Sequence, residues 1–147
     1  MSCSFIGIDV SKGKLSCWSE SGYAEIENSS RSVAKYLKSL PAGSRLAVEN
    51  TGSFHVLLAE KAYSLGFSVY IVNPRDSSRF RKAVSPRAKT DKIDARAIAL
   101  CAAQIEGRLR PFAPLPDEAK RLRNLLRRRG KLLKAENLLR QSFAGSS

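Results

Sequence analysis

Residues 4–20 read SFIGIDVSKGKLSCWSE, and the reading of this stretch decides the fold. SFIGIDV is short and almost wholly apolar, the pattern of a strand covered on both faces. SKGK then supplies a turn, with Gly13 the residue able to take positive φ. LSCWSE alternates apolar and polar residues and returns as a second, antiparallel strand. One residue does not belong in such a strand. Asp9 interrupts the apolar run, and an ionised carboxylate there costs several kcal/mol, about what remains after relaxation, unless a cation or hydrogen bonds compensate.

Working outward, GYAEIEN (22–28) adds a third strand. RSVAKYLKSL has helical spacing, with Val33, Tyr36, Leu37 and Leu40 on one face, and PAG ends it. RLAVEN is a brief apolar strand closing at Glu49. TGSFHVLLAEKAYSLG follows as a helix, capped by Ser53 or Thr51 and stopped by Gly66. FSVYIVNP is a further strand, ended by Asn73-Pro74. Strand, helix and strand from residue 45 to 73 make a parallel βαβ unit, so an antiparallel hairpin followed by parallel strands predicts a mixed α/β sheet. RDSSRFRKAVSPRAK is cationic with few large apolar groups, a short helix or loop at the surface. Thr90 caps DKIDARAIALCAAQIEG, a helix whose inner face is expected at Ile93, Ala97, Leu100 and Ile105. RLRPFAPLP connects to a long leucine-rich helix weakened at Gly130, where a bend is expected. The division expected is a catalytic domain over 1–110, then a connector and long basic helix over 111–147.

The 147 residues, 43% hydrophobic, suffice for one core. Lys and Arg number 26 against 13 Asp and Glu, a field that suits polyanions, although an anionic membrane surface would also fit the charge. No apolar stretch approaches the roughly 18 residues of a spanning helix, and the start MSCSFIGIDV does not read as a signal peptide. Cys3, Cys17 and Cys101 lack zinc-site spacing and are expected as reduced thiols in a cytoplasmic protein.

Within this basic chain, Asp91 and Asp94 open a helix in AKTDKIDARA (88–97). One turn apart, both can address a common centre, and Asp9 and Glu49 meet them there if their strands are adjacent. Hard oxygen donors of this kind suit magnesium, and a two-ion site takes about three to four carboxylates. Singly, each acid has a plainer explanation. Asp91 suits the helix dipole, Asp94 could pair with a cation such as Arg87, and Glu49 could be a loop residue. Asp9 is the hardest to explain without a cation.

FIGIDVSKGKL, AVENTG, VYIVNPRDSSRFRKA and AKTDKIDARAIA, in this order, resemble the N-terminal domain of the DEDD insertion-sequence transposases, the family that includes the pilin-gene invertase. The resemblance spans essentially the whole chain. It implies a ribonuclease-H-like (RuvC-like) mixed sheet flanked by helices, with a long C-terminal helix. It further implies Asp9, Glu49, Asp91 and Asp94 as catalytic and metal-binding residues. Magnesium is the implied cofactor, with manganese as a substitute, and DNA cleavage and strand transfer the implied activity. Family members are typically at least twice as long. Their C-terminal domain contributes a serine implicated as the nucleophile; that domain is expected to be absent here, and Ser142, Ser146 and Ser147 match no such motif. A guide RNA encoded by the element is a further implied partner.

The cations around the acidic pair, Arg75, Arg79, Arg81, Lys82, Arg87, Lys89 and Lys92, are expected to hold the DNA backbone, and Lys12 is placed to touch phosphate. Trp18, Tyr63 and His55 read as core or rim residues. From Pro116 to Phe143 there are nine cations, among them Arg127, Arg128 and Arg129, against three acids, beside a stripe of leucines too large to leave in water. That helix either packs back on the domain or dimerises with its basic face on nucleic acid, and the family resemblance favours the second. Actin-like ATPases and sugar kinases share the opening hairpin, but the chain lacks their second glycine-rich loop. A Holliday-junction resolvase and a non-catalytic nucleic-acid-binding fragment are the remaining alternatives.

Overall fold

The computed structural model describes residues 5–50 and 52–144. Five strands form one sheet: β1 (Phe5–Val10), β2 (Lys14–Ser19), β3 (Gly22–Glu27), β4 (Arg45–Glu49) and β5 (Ser68–Val72), in the order β3-β2-β1-β4-β5. β1 and β2 pair antiparallel, as do β2 and β3, whereas β4 lies parallel to both β1 and β5. The helices are α1 (Ser30–Ser39), α2 (Val56–Ser64), α3 (Pro74–Val84), α4 (Asp91–Gln104) and α5 (Asp117–Ala144). This is the mixed sheet that a hairpin followed by crossovers requires.

Strand alternation divides the core in two. Ile6, Ile8 and Val10, with Leu15, Cys17, Leu46, Val48 and Val69, face α1 and α2 and bury Val33, Leu37, Leu58 and Ala62. On the opposite face Phe5, Ala47 and Val72 pack against Ile98, Ala99, Cys101 and Ala102 of α4. Asp9 and Glu49 fall on this second face, because they keep step with Phe5 and Ala47 along their strands. Lys14, two residues before Ser16, shares that face through the Asp9–Ser16 pairing.

Gly7 determines how close α4 comes. A Cβ there would stand 2.0 Å from the Ala95 carbonyl oxygen and 2.9 Å from the Ala99 Cβ. The absence of a side chain lets the helix lie directly on β1. The inner face of α4 is therefore not the one its spacing suggested. Ala97 and Ile105 are buried as expected, but Ile93 and Leu100 are only half-buried, and Ala95, Ile98, Ala99, Cys101 and Ala102 are buried instead. Packed on β1 and β2 and also on α3, the helix is covered on more than one side, so no single apolar stripe marks its contact face.

Local signals set most boundaries. Thr90 accepts from the Ile93 N–H at 3.2 Å, and Asn73 accepts from the Arg75 N–H at 2.9 Å, with Pro74 in the first turn of α3. The cationic segment after β5 is thus a defined 11-residue helix. Two expectations need correction. α2 starts at Val56, with His55 at the cap position and no side-chain cap; Ser53 lies in the preceding turn, and Thr51 is outside the described residues. The turn after β1 is held by Ser11, whose Oγ meets the Lys14 carbonyl at 2.9 Å and the Lys14 N–H at 3.1 Å, so Gly13 needs no positive φ.

Beyond α4, the Phe112 N–H donates to the Val69 carbonyl at 2.6 Å and Pro111 bridges Tyr70, laying the connector along the outer edge of β5. The chain divides into two compact units between Ala113 and Pro114. The second unit carries α5, which runs through Gly130 as one 28-residue helix. Among the described residues no helix is long and apolar enough to cross a membrane.

Candidate metal centre

Asp9 near the end of β1, Glu49 at the end of β4 and Asp94 in the first turn of α4 line one small pocket, together with Ser77, Arg81, Ala97 and Ile98. Its cavity volume is about 20 Å³, room for a water or a bare ion and not for an organic cofactor. Parallel pairing places the ends of β1 and β4 side by side, and the close seat of α4 over Gly7 brings Asp94 to them. Three of the four carboxylates singled out in the sequence thus come from three separate elements to one place.

The electrostatics match that convergence. Asp9 is held above the ordinary carboxylate range, first by burial and then by the charges of Glu49, Asp94 and Asp91. Asp91 is therefore close enough to be felt, but its own side chain turns to Lys14. The Lys14 ammonium donates to Asp91 Oδ2 at 2.6 Å and to Glu25 at 3.2 Å, and the Tyr23 hydroxyl donates to Glu25 at 2.6 Å. Lys14 is raised above its usual range by these two carboxylates.

The other acids are also engaged. The Ser77 hydroxyl donates to Glu49, and Arg81 Nη1 lies 3.3 Å from Asp94 Oδ1. The cation beside Asp94 is therefore Arg81 rather than Arg87, and Arg81 faces the carboxylates instead of lying on the open surface with its neighbours. With the acids held in this way, no three described His, Cys, Asp or Glu side chains stand at the spacing of a formed metal site. The donor set nevertheless fits a hard divalent ion: several carboxylate oxygens around an ion-sized pocket, in a field that keeps Asp9 reluctant to ionise.

Lys14, Ser77 and Arg81 are the contributors that the spacing of acids did not reveal. Lys14 could have been found from strand alternation, since it shares the face of Asp9. Ser77 and Arg81 sit four residues apart on α3, a helix face pointing at the same pocket. Arg75, Arg79, Lys82, Arg87, Lys89 and Lys92 are exposed, as is Lys12, and Arg127, Arg128 and Arg129 are exposed on α5. Trp18 is half-buried with Arg96 over its ring at 5.7 Å, Tyr63 meets Phe112 edge-on, and His55 is buried. Cys17 and Cys101 are free buried thiols; Cys3, Ser146 and Ser147 lie outside the described residues.

Comparison with known proteins extends this picture. The family model of the IS110-type DEDD proteins, described as "Transposase", matches residues 6–141. No curated protein sequence matches the chain. Among solved structures, Thermus thermophilus RuvC in complex with a Holliday junction substrate aligns with a TM-score of 0.54 at 18% identity, covering 74% of this chain and 98% of that one. A second Thermus thermophilus RuvC structure aligns with a TM-score of 0.52 at 16% identity, over 74% and 99% of the two chains. At these identities the likeness establishes the fold, a RuvC-like mixed sheet flanked by helices.

Proposed function

The chain belongs to the IS110-type DEDD transposase family, and from that premise we propose that residues 1–110 form the catalytic domain of a DNA transposase or site-specific recombinase, cleaving phosphodiesters with divalent metal. The observation that carries this reading is the meeting of Asp9, Glu49 and Asp94 in one pocket of a chain whose net charge is +13. Asp9, Glu49, Asp94 and, after release from Lys14, Asp91 are the residues that would hold magnesium, or manganese in its place. Bound there, the metal would supply positive charge to activate the attacking oxygen and stabilise the leaving one.

The rest of the work falls to the chain's own side chains. Arg75, Arg79 and Lys82 lie at helical spacing on one side of α3, and with Lys12, Arg87, Lys89 and Lys92 they offer exposed cations to the DNA backbone beside the acids. Ala97 and Ile98 give the pocket an apolar wall that limits water. On α5, Leu125 is 60% exposed, Leu132 71% and Leu139 59%, and this stripe is read as the contact with a second copy, leaving Arg127, Arg128 and Arg129 for nucleic acid. An element-encoded guide RNA would engage the same kind of cationic surface.

Titration of magnesium or manganese into the wild type and the Asp91→Asn/Asp94→Asn variant, followed by calorimetry, tests the metal site. Binding heat is expected from the wild type alone, and equal heat from both would refute the assignment. Metal-dependent nicking of DNA, lost in Asp9→Ala, separates catalysis from a fragment that only binds nucleic acid.

A further inference from the structure

We infer that α3 controls cation entry through two residues: Ser77 orients Glu49 for the incoming ion, while Arg81 occupies Asp94 until the ion displaces it. This rests on the metal-site reading above and adds to it two residues outside the carboxylate set. Ser77 and Arg81 are four apart, hence on one helix face, and each reaches a carboxylate borne by a different element, Glu49 on β4 and Asp94 on α4. A single helix therefore holds two of the acids that must rearrange together.

The two contacts differ in kind. Ser77 is 4% exposed, and its hydroxyl has one hydrogen to give. That hydrogen goes to Glu49, the nearer of its two acceptors, with the Pro74 carbonyl 3.1 Å away, so the carboxylate is steered by a neutral group fixed to the helix start. A carboxylate so held can keep this bond through one oxygen and still present the other to a cation.

Arg81 brings a charge that competes with the ion. Its contact with Asp94, at 3.3 Å, is longer than the 2.7–2.9 Å of a strong charge-assisted bond. Its side chain is 35% exposed against 13% for Asp94, so the guanidinium has solvent to move into while the carboxylate stays. Lys14 holds Asp91 at 2.6 Å, a tighter clasp, which makes Asp94 the first of the two helix acids to open.

The two residues are thus predicted to act with opposite sign on metal affinity, a pattern that general damage to α3 would not produce. The experiment is manganese titration of the full chain without DNA, by calorimetry and by loss of the free-ion electron paramagnetic resonance signal, in Arg81→Gln, Ser77→Ala and Asp94→Asn. Circular dichroism melts verify that each variant is folded. Arg81→Gln is expected to bind manganese about fivefold more tightly, the factor corresponding to an ion pair of about 1 kcal/mol. Ser77→Ala is expected to bind about tenfold more weakly, as for other groups that orient a ligand. Arg81→Lys, which keeps a charge near Asp94, should lie between the wild type and Arg81→Gln, and it substitutes for the glutamine variant if that one does not fold.

Unchanged or weaker binding in Arg81→Gln overturns the competitor role. Unchanged or tighter binding in Ser77→Ala overturns the orienting role. Full-strength binding in Asp94→Asn would instead overturn the metal-site reading itself, so the two failures are told apart.

Discussion

Replacing Gly7 by alanine should do disproportionate harm for one methyl group. The added Cβ would stand 2.0 Å from the Ala95 carbonyl oxygen, whereas carbon and oxygen rest at roughly 3.3 Å. Backbone cannot rotate away as a side chain can, so α4 must withdraw from β1 by about 1.3 Å. Overpacking of this kind costs about 3 kcal/mol, the upper part of the usual range, which is roughly 10 °C in melting temperature for a domain of this size. The same withdrawal moves Asp94 away from Asp9, because one rides on α4 and the other on β1. A functional constellation tolerates only about 0.5 Å of misplacement, so Gly7→Ala should lose manganese binding even at temperatures where it is fully folded. Thermal melts followed by calorimetric titration well below the transition measure both effects. A variant melting within about 2 °C of the wild type, with unaltered manganese affinity, would refute this account of how the helix is seated.

Two other outcomes follow from the charge and burial pattern. In metal-free buffer Asp9→Asn should melt above the wild type at neutral pH, because the amide removes a half-buried charge facing three other carboxylates. Since folding raises the affinity of Asp9 for its proton, the penalty is absent below its unfolded-state value, grows as pH rises beyond that value and is complete above the folded-state one. The advantage of asparagine in scanning fluorimetry should therefore fade in acid, and a variant less stable than the wild type at pH 7.5 would contradict it. Burial pushes the Cys17 thiol up to about 12 and that of Cys101 to about 11. In a Cys3→Ser background neither should be labelled by a thiol reagent at pH 8 without unfolding, as mass spectrometry would show. Their contribution to stability is complete below the unfolded thiol value of about 8.5 and declines as pH rises beyond it.

Much of the architecture was readable because its signals are local. The hairpin of β1 and β2, the strand ending at Glu49, Asn73-Pro74 before α3 and Thr90 before α4 each depend on a few adjacent residues. The face of α4 was not readable in that way. Its contact surface is made of alanines, Ile98 and Cys101, seated close because of Gly7, and apolar periodicity is weak in a helix covered on several sides. The four acids could be singled out individually, as one intrudes on an apolar strand, one closes another and two open a helix. Their partners could not. That Arg81 and not Arg87 reaches Asp94, and that Lys14 draws Asp91 aside, depends on how α3 and β2 meet α4, which no spacing within one element expresses.

The two margins of the sheet bear on how copies of this chain can assemble. Outside β5 the connector brings Pro111, a residue with no amide hydrogen to offer, and β3 at the other side displays Glu25 and Glu27. Two such β3 strands brought together would set carboxylate against carboxylate, and the opposite border is already taken. Growth by sharing hydrogen-bonded strands, the route to fibrils and exchanged domains, is thereby discouraged at both borders. Any ordered union between protomers is left to helical surfaces, where contacts can form and separate without disturbing the scaffold that carries the acids.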